Sequence, residues 1–68
     1  MNTIRSLLES APDSQTKRVQ LAYKAAANGD WANAVHYLRN AAEEEGDTPW
    51  GMDCADVCGQ CAMNGNVK

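Results

Sequence analysis

The stretch that most constrains this chain runs from Ala25 to Ala42, where two helical patterns meet at a short glycine-bearing joint. Asp30 is a suitable N-cap, because its carboxylate can accept hydrogen bonds from the free amides of the next turn. Gly29 suits the left-handed conformation that commonly ends a preceding helix. We therefore predict that one helix ends at Asn28 and that another begins at Trp31.

The apolar residues on both sides of this joint recur at helical spacing. At about 100° per residue, one arc of about 120° on the helix after the joint contains Trp31, Ala34, Val35, Leu38, Ala41 and Ala42. The helix before the joint has its main apolar stripe at Val19, Ala22, Tyr23 and Ala26. A smaller apolar edge, formed by Leu21 and Ala25, is expected to lie under a short N-terminal helix that Thr3 caps. That helix carries Ile4, Leu7 and Leu8 on one side and ends before Pro12, since proline disfavours helix at the residue preceding it.

Composition favours helix over sheet throughout. The chain has 68 residues and no Phe, and it is rich in Ala and poor in β-branched residues. We predict an all-α fold with one domain, residues 1–68: a small bundle of three longer helices, at about 14–28, 31–45 and 49–63, plus a short N-terminal helix within residues 1–12. Asp13 or Ser14 is expected to cap the first long helix, residues 14–45 form the central hairpin, and residues 64–68 form a tail. Trp31, Leu38 and Trp50 are expected to be mostly buried in one cluster with Val19 and Tyr23.

The hairpin resembles the tetratricopeptide repeat (TPR), a helix-turn-helix unit. The matching residues are Leu21 and Ala22 in the first helix, Gly29-Asp30-Trp31 at the turn, and Ala34, Leu38 and Ala41 in the second helix. The resemblance covers about residues 18–46 and departs from the family at Arg18 and Ala25, where an aromatic residue is usual, and at the late Pro49. It implies a surface used for protein binding. An array needs about three repeats to bury its surfaces, and this chain has room for one.

The charge of the chain is low, negative and unevenly placed. The net charge of -3 and the pI near 4.8 argue against a general nucleic-acid binder. No apolar run is long enough for a membrane helix and no leader pattern occurs, so a cytoplasmic setting is expected. Acidic residues at a helix C-terminus oppose the macrodipole, yet four are concentrated there: Glu43, Glu44, Glu45 and Asp47. We interpret them as an acidic rim that meets a protein with a basic surface; the alternative is a solvated helix end.

The C-terminal helix, which Thr48 and Pro49 are expected to begin, carries the only reactive side chains in a group. Cys54, Cys58 and Cys61 share one helical face with Trp50 and Val57. They can be core residues, because free cysteine packs as a small hydrophobe. They can also form a redox pair or hold zinc or an iron–sulfur cluster. The spacing matches the cluster motif of radical S-adenosylmethionine enzymes, but the chain is too short for that family.

A zinc site built on these thiols would need a fourth ligand. His36 lies on the polar face of its own helix, and Asp53 or Asp56 could complete a site only if the segment were not a regular helix. Core cysteines are therefore our first interpretation, and we predict no cofactor. The zinc or iron–sulfur centre is kept as the alternative.

No combination of residues predicts an enzyme, since the chain has neither a catalytic triad nor a phosphate-binding glycine loop. We expect a non-enzymatic protein–protein interaction module, such as an adaptor, a subunit or an inhibitor, with a homodimer as one form. The alternative function is a small metal-binding or redox module that uses Cys54, Cys58 and Cys61. A further alternative, by analogy of size and charge, is a phage or mobile-element inhibitor of a host defence system.

Overall fold

The computed structural model describes residues 3–63, and these residues form four helices without any strand. The bounds are Ile4–Ser10 for α1, Asp13–Ala27 for α2, Trp31–Glu45 for α3 and Pro49–Met63 for α4. The all-α bundle with a short N-terminal helix is thus confirmed. The two later long helices begin and end where the sequence predicted. The predicted tail at 64–68 lies outside the described residues.

Local caps begin three of the helices. Thr3 and Ser6 form a reciprocal capping box at α1, in which the Thr3 hydroxyl accepts from the Ser6 amide at 3.2 Å and the Ser6 hydroxyl accepts from the Thr3 amide at 2.9 Å. Asp30 caps α3, and Thr48 accepts from the Gly51 amide at 3.0 Å at the start of α4. Each cap satisfies an amide that has no partner within its helix.

The start of α2 corrects the expectation that Asp13 or Ser14 is its cap. Pro12 occupies the N-cap position and offers no side-chain acceptor. Its carbonyl instead accepts from the amides of Gln15 and Thr16, at 2.8 and 3.1 Å. Asp13 therefore lies inside the first turn, where a negative charge favours the helix dipole. The helix is shifted by one residue from the predicted 14–28.

The four helices pack as a closed ring. α1 lies against α2, α2 against α3, α3 against α4 and α4 against α1, and within residues 3–63 the backbones of the diagonal pairs do not come within 8 Å of each other between Cα atoms. The buried apolar side chains form one core cluster, which contains Ile4, Leu7, Val19, Ala22, Ala26, Ala34, Leu38, Ala41, Cys54, Val57, Cys58 and Cys61. Small residues predominate in that cluster. Since a small side chain lets two helices approach closely, the α2–α3 crossing is built around alanine.

Both tryptophans lie at the edge of the core. Trp31, Trp50 and Tyr23 keep part of their surface exposed there, whereas Leu38 and Val19 are fully buried. Trp31 is the first residue of α3 and Trp50 is the second residue of α4. Each indole therefore lies at an end of the core. The indole N–H of Trp50 also needs a polar partner, and it donates to the Leu7 carbonyl at 3.0 Å. The expectation that both tryptophans are mostly buried and share one cluster with Leu38, Val19 and Tyr23 is therefore confirmed, with the aromatic rings at the edge of that cluster.

The expectation that α1 covers the edge formed by Leu21 and Ala25 was wrong for Leu21, whereas Ala25 is half-buried against the core. Leu21 is 43% exposed. α1 has only seven residues, and it spans α2 and α4 rather than lying along α2 alone. Ile4 and Leu7 are buried in the core, and the hydrogen bond from the Trp50 indole to the Leu7 carbonyl connects α1 with α4. Leu21 is therefore left facing solvent. Across residues 3–63, no helix combines the length and apolar character needed to cross a bilayer.

Candidate interaction surface

The four acidic residues expected to form one rim divide into two pairs. Glu44 and Glu45 reach back to the first turn of α2, where the Gln15 amide donates to Glu44 Oε1 at 3.3 Å and to Glu45 Oε2 at 3.0 Å. Arg18 donates to Gln15 Oε1 at 2.9 Å and forms an ion pair with Glu44. We call Gln15, Arg18, Glu44 and Glu45 the polar clasp. Gln15 is 1% exposed, so the clasp fastens α2 to the end of α3.

The clasp changes the titration of Glu44. The hydrogen bond from Arg18 lowers the pKa of this carboxyl below its usual value of 4.5, and the hydrogen bond from Gln15 lowers it further. Both contacts favour the ionised form, because each donates to the carboxylate. Glu44 and Glu45 therefore have a structural role that the sequence did not reveal.

Glu43 and Asp47 remain available on the surface. Both are exposed, and neither takes part in any side-chain hydrogen bond or ion pair within residues 3–63. Glu43 also borders a shallow groove between α3 and α4, lined by Arg39, Ala42, Glu43, Ala55, Cys58 and Gly59. We use the term reduced rim for Glu43 and Asp47. It is the part of the predicted acidic rim that has no partner in the described chain.

The cysteine face, formed by Cys54, Cys58 and Cys61, points into the core. Their exposures are 0%, 8% and 3%, and the Cys58 thiol donates to the Val35 carbonyl at 3.5 Å. Burial raises the pKa of Cys54 to about 12, with a smaller effect from Cys58. Burial also raises the pKa of Cys58 and of Cys61. Because the thiolate is the nucleophile and the metal ligand, these thiols are held in their unreactive form at neutral pH.

Of the other proposed ligands, Asp53 is half-buried beside Cys54 and contributes, after burial, to the raised pKa of that thiol, whereas His36 and Asp56 are exposed. His36 is exposed on α3, where its Nε2 lies 3.3 Å from the Asn40 side-chain nitrogen. Asp56 is exposed and accepts from Gln60. In the part of the chain that the structure describes, no three His, Cys, Asp or Glu side chains are grouped as metal ligands would be. The metal alternative stays a prediction from spacing.

Sequence reasoning missed a surface on α2. Lys17, Leu21 and Lys24 are all exposed and lie four and then three residues apart, so they form one line along the helix. We call them the Leu21 stripe. Leu21 lies between two grooves: one is shared with α1 and lined by Leu8, Lys17, Gln20, Leu21, Tyr23 and Lys24, and the other faces α3 and is lined by Ser14, Lys17, Arg18, Leu21 and Tyr37. The signal in the sequence was a leucine off the main apolar stripe with a lysine on either side.

The chain was compared with protein-family models, with curated proteins and with solved structures, and none of these comparisons gave a match. The candidate surfaces are therefore assigned from geometry and charge.

Proposed function

We propose that the protein is a non-enzymatic protein–protein interaction module that binds its partner through the surface of the α2–α3 hairpin and the reduced rim. The observation that carries this proposal is Leu21, a large apolar side chain that is 43% exposed and has a groove on each side. A partner that covers Leu21 and fills the grooves would remove apolar surface from water, which stabilises an interface. The polar surroundings of Leu21 resemble the rim of such an interface.

The resemblance to a TPR hairpin supports the same proposal. The residues that carry the resemblance at the helix crossing, Ala22, Ala34, Leu38 and Ala41, are all fully buried. We propose that the hairpin is TPR-like in its packing and in its use for protein binding. α4 then serves as the helix that covers the outer side of α3.

The reduced rim adds a long-range electrostatic contribution. Glu43 and Asp47 are exposed charges, and the contribution of such charges to binding lies mainly in faster encounter with a basic surface. Adaptor, subunit and inhibitor roles all fit this design, including the role of a phage or mobile-element inhibitor. The metal or redox alternative has less support, because the raised thiol pKa values oppose thiolate chemistry.

The test is affinity capture from the native host with the tagged parent protein and three matched variants. Leu21→Asp should lose the captured partner, because it places a charge on the apolar ridge. Met52→Asp is the control, since Met52 is another exposed large apolar residue, at 64%, on α4; it should keep the partner. Glu43→Lys combined with Asp47→Lys should slow association at low salt while leaving the clasp intact. Circular dichroism checks that each variant is folded.

Two results would contradict the proposal. If Leu21→Asp retains the same partner at parental levels, the hairpin surface is not the binding site. If the Glu43→Lys, Asp47→Lys variant associates as fast as the parent at low salt, the reduced rim does not contribute to encounter.

A further inference from the structure

The Leu21 stripe combines apolar and basic character in a way that indicates the chemistry of its partner. The groove between α1 and α2 has a volume of about 380 Å³ and the groove between α2 and α3 about 250 Å³. Leu21 and Lys17 line both grooves. Lysine side chains present an apolar stem below a charged head, so the grooves have apolar walls and a cationic edge.

The lysines of the cationic edge form no ion pair within residues 3–63. No acidic residue lines either groove. Arg18 is already paired with Glu44, and this is the sole ion pair within residues 3–63. Lys17 and Lys24 therefore leave two positive charges beside Leu21 without a negative partner in the described chain. This local positive charge is notable in a protein whose net charge is -3.

The stripe runs along the axis of α2. Lys17 and Lys24 are seven residues apart, which is two helical turns or about 10 Å, with Leu21 between them. An amphipathic helix presents its own residues at the same spacing, and packing a ridge of one helix into the groove of another is the usual way that two helices meet.

We propose that the Leu21 stripe binds an amphipathic helix of a partner protein, with apolar residues of that helix seated in the two grooves and carboxylates one turn to either side facing Lys17 and Lys24. This inference rests on the proposed function and names the chemistry of the partner at the hairpin surface. The protein thus presents positive charge at the Leu21 stripe and negative charge at the reduced rim, and the partner segment that meets the stripe carries negative charge. A partner that used both surfaces would need an acidic helix beside a basic patch.

The test uses a designed helical peptide as the probe. Its sequence places leucines on one face and glutamates seven residues apart beside them, and it carries a fluorescent label for anisotropy titration against the full chain. Two control peptides have lysine in place of every glutamate, or the same composition in scrambled order. We expect the acidic peptide to bind the parent and to bind more weakly as salt is added. The two control peptides should bind at least about tenfold more weakly, because one brings like charges together and the other has no apolar face.

Variants of the chain locate the contact. Lys17→Glu with Lys24→Glu should weaken binding of the acidic peptide by about tenfold or more. Arg5→Glu with Arg39→Glu makes the same change in net charge at exposed residues outside both grooves, and it should leave binding close to that of the parent. Leu21→Asp should abolish binding. Equal binding by the two double variants, equal binding of the lysine peptide, or no binding of the acidic peptide would overturn the proposal.

Three further outcomes separate this inference from its alternatives. If sedimentation shows that the parent is a dimer which Leu21→Asp converts to a monomer, the stripe binds a second copy and the inference is wrong. If a captured partner depends on Leu21 but the acidic peptide does not bind, the proposed function stands and the inference fails. If the peptide binds and no captured partner depends on Leu21, the charge preference is supported and the proposed function fails.

Discussion

The two ends of α3 are stabilised by different kinds of contact. At its start, Asp30 accepts from the Asn33 amide at 3.4 Å and from the Asn33 side chain at 2.6 Å, and Gly29 supplies a φ of 77°. All the residues that form this cap lie between positions 29 and 33 of the chain. At its end, Glu44 and Glu45 have charges of the wrong sign for the helix dipole, and they are held by Gln15, some 30 residues away in the chain.

The difference shows which parts of a helix end can be deduced locally. A cap that joins neighbours in sequence follows from residue type and spacing, since geometry fixes which amide the side chain can reach. A contact between distant residues depends on how the helices cross. The acids at the end of α3 break a local rule, and the clasp offsets that cost with hydrogen bonds to a buried amide and an ion pair.

The largest effect that would test this contrast is expected from Gln15→Ala. The change removes the buried amide that both carboxylates share and leaves a small cavity, so the free energy of unfolding should fall by about 1–3 kcal/mol. Gln20→Ala is the matched control on the same helix; Gln20 is exposed, and its removal should change stability by less than about 0.5 kcal/mol. Asp30→Ala, at the other end of α3, should cost about 0.5–1 kcal/mol as the loss of a local cap.

Urea denaturation of the three variants measures these differences. If Gln15→Ala is no less stable than Gln20→Ala, the clasp does not stabilise the bundle. The contacts at the C-terminal end of α3 would then be present without contributing to stability.

A second effect is expected at the junction that follows the clasp. A Cβ added to Gly51 would lie 2.8 Å from the Gly46 carbonyl oxygen and 3.0 Å from Glu45 Cβ. Because a backbone atom cannot easily move aside, Gly51→Ala should lower stability by about 1–2 kcal/mol, despite the better helix propensity of alanine. Gly59 on the same helix has nothing within 4 Å of its added Cβ, so Gly59→Ala should raise stability by up to about 1 kcal/mol.

Thermal melting of the two alanine variants gives the comparison directly. Shifts of opposite sign are expected. A stabilised Gly51→Ala variant would show that α4 does not approach the end of α3 this closely.

These contrasts explain how far the sequence could predict the molecule. The helix bounds followed from local signals such as Asp30, Thr48 and the periodic apolar residues, and α3 and α4 were predicted to the residue. The contacts between helices could not be predicted from these local signals, because they depend on which helices pack against each other. The need for glycine at position 51 arises from the Gly46 carbonyl, and the exposure of Leu21 arises from the path of the short α1 helix.

The candidate site was predicted less well than the fold for the same reason. The sequence placed Glu43, Glu44, Glu45 and Asp47 in one rim because they are adjacent. It could not separate the two that bind Gln15 from the two that face solvent. The cysteines were correctly placed on one helical face and correctly interpreted as core residues, but the size of their pKa shifts depends on how closely the neighbouring helices cover them.

The smallest expected effect concerns the charge of Glu44 and sharpens the distinction within the acidic segment. The pKa of Glu44 is lowered from 4.5 in the folded chain, so its contribution to stability is present above about pH 4.5 and is lost as the pH falls through the folded pKa. Glu44→Gln should therefore melt below the parent at pH 7, and the gap should be smaller at an acid pH below the folded pKa. Glu43→Gln should not lower the melting temperature at pH 7, because it removes a charge without a partner from a helix end where negative charge is unfavourable. A gap for Glu44→Gln that is the same at both pH values would show that its carboxylate charge has no part in the clasp. Glu44 would then rejoin Glu43 and Asp47 as a candidate for partner binding, and the distinction between clasp and reduced rim would rest on Glu45 and Gln15 alone.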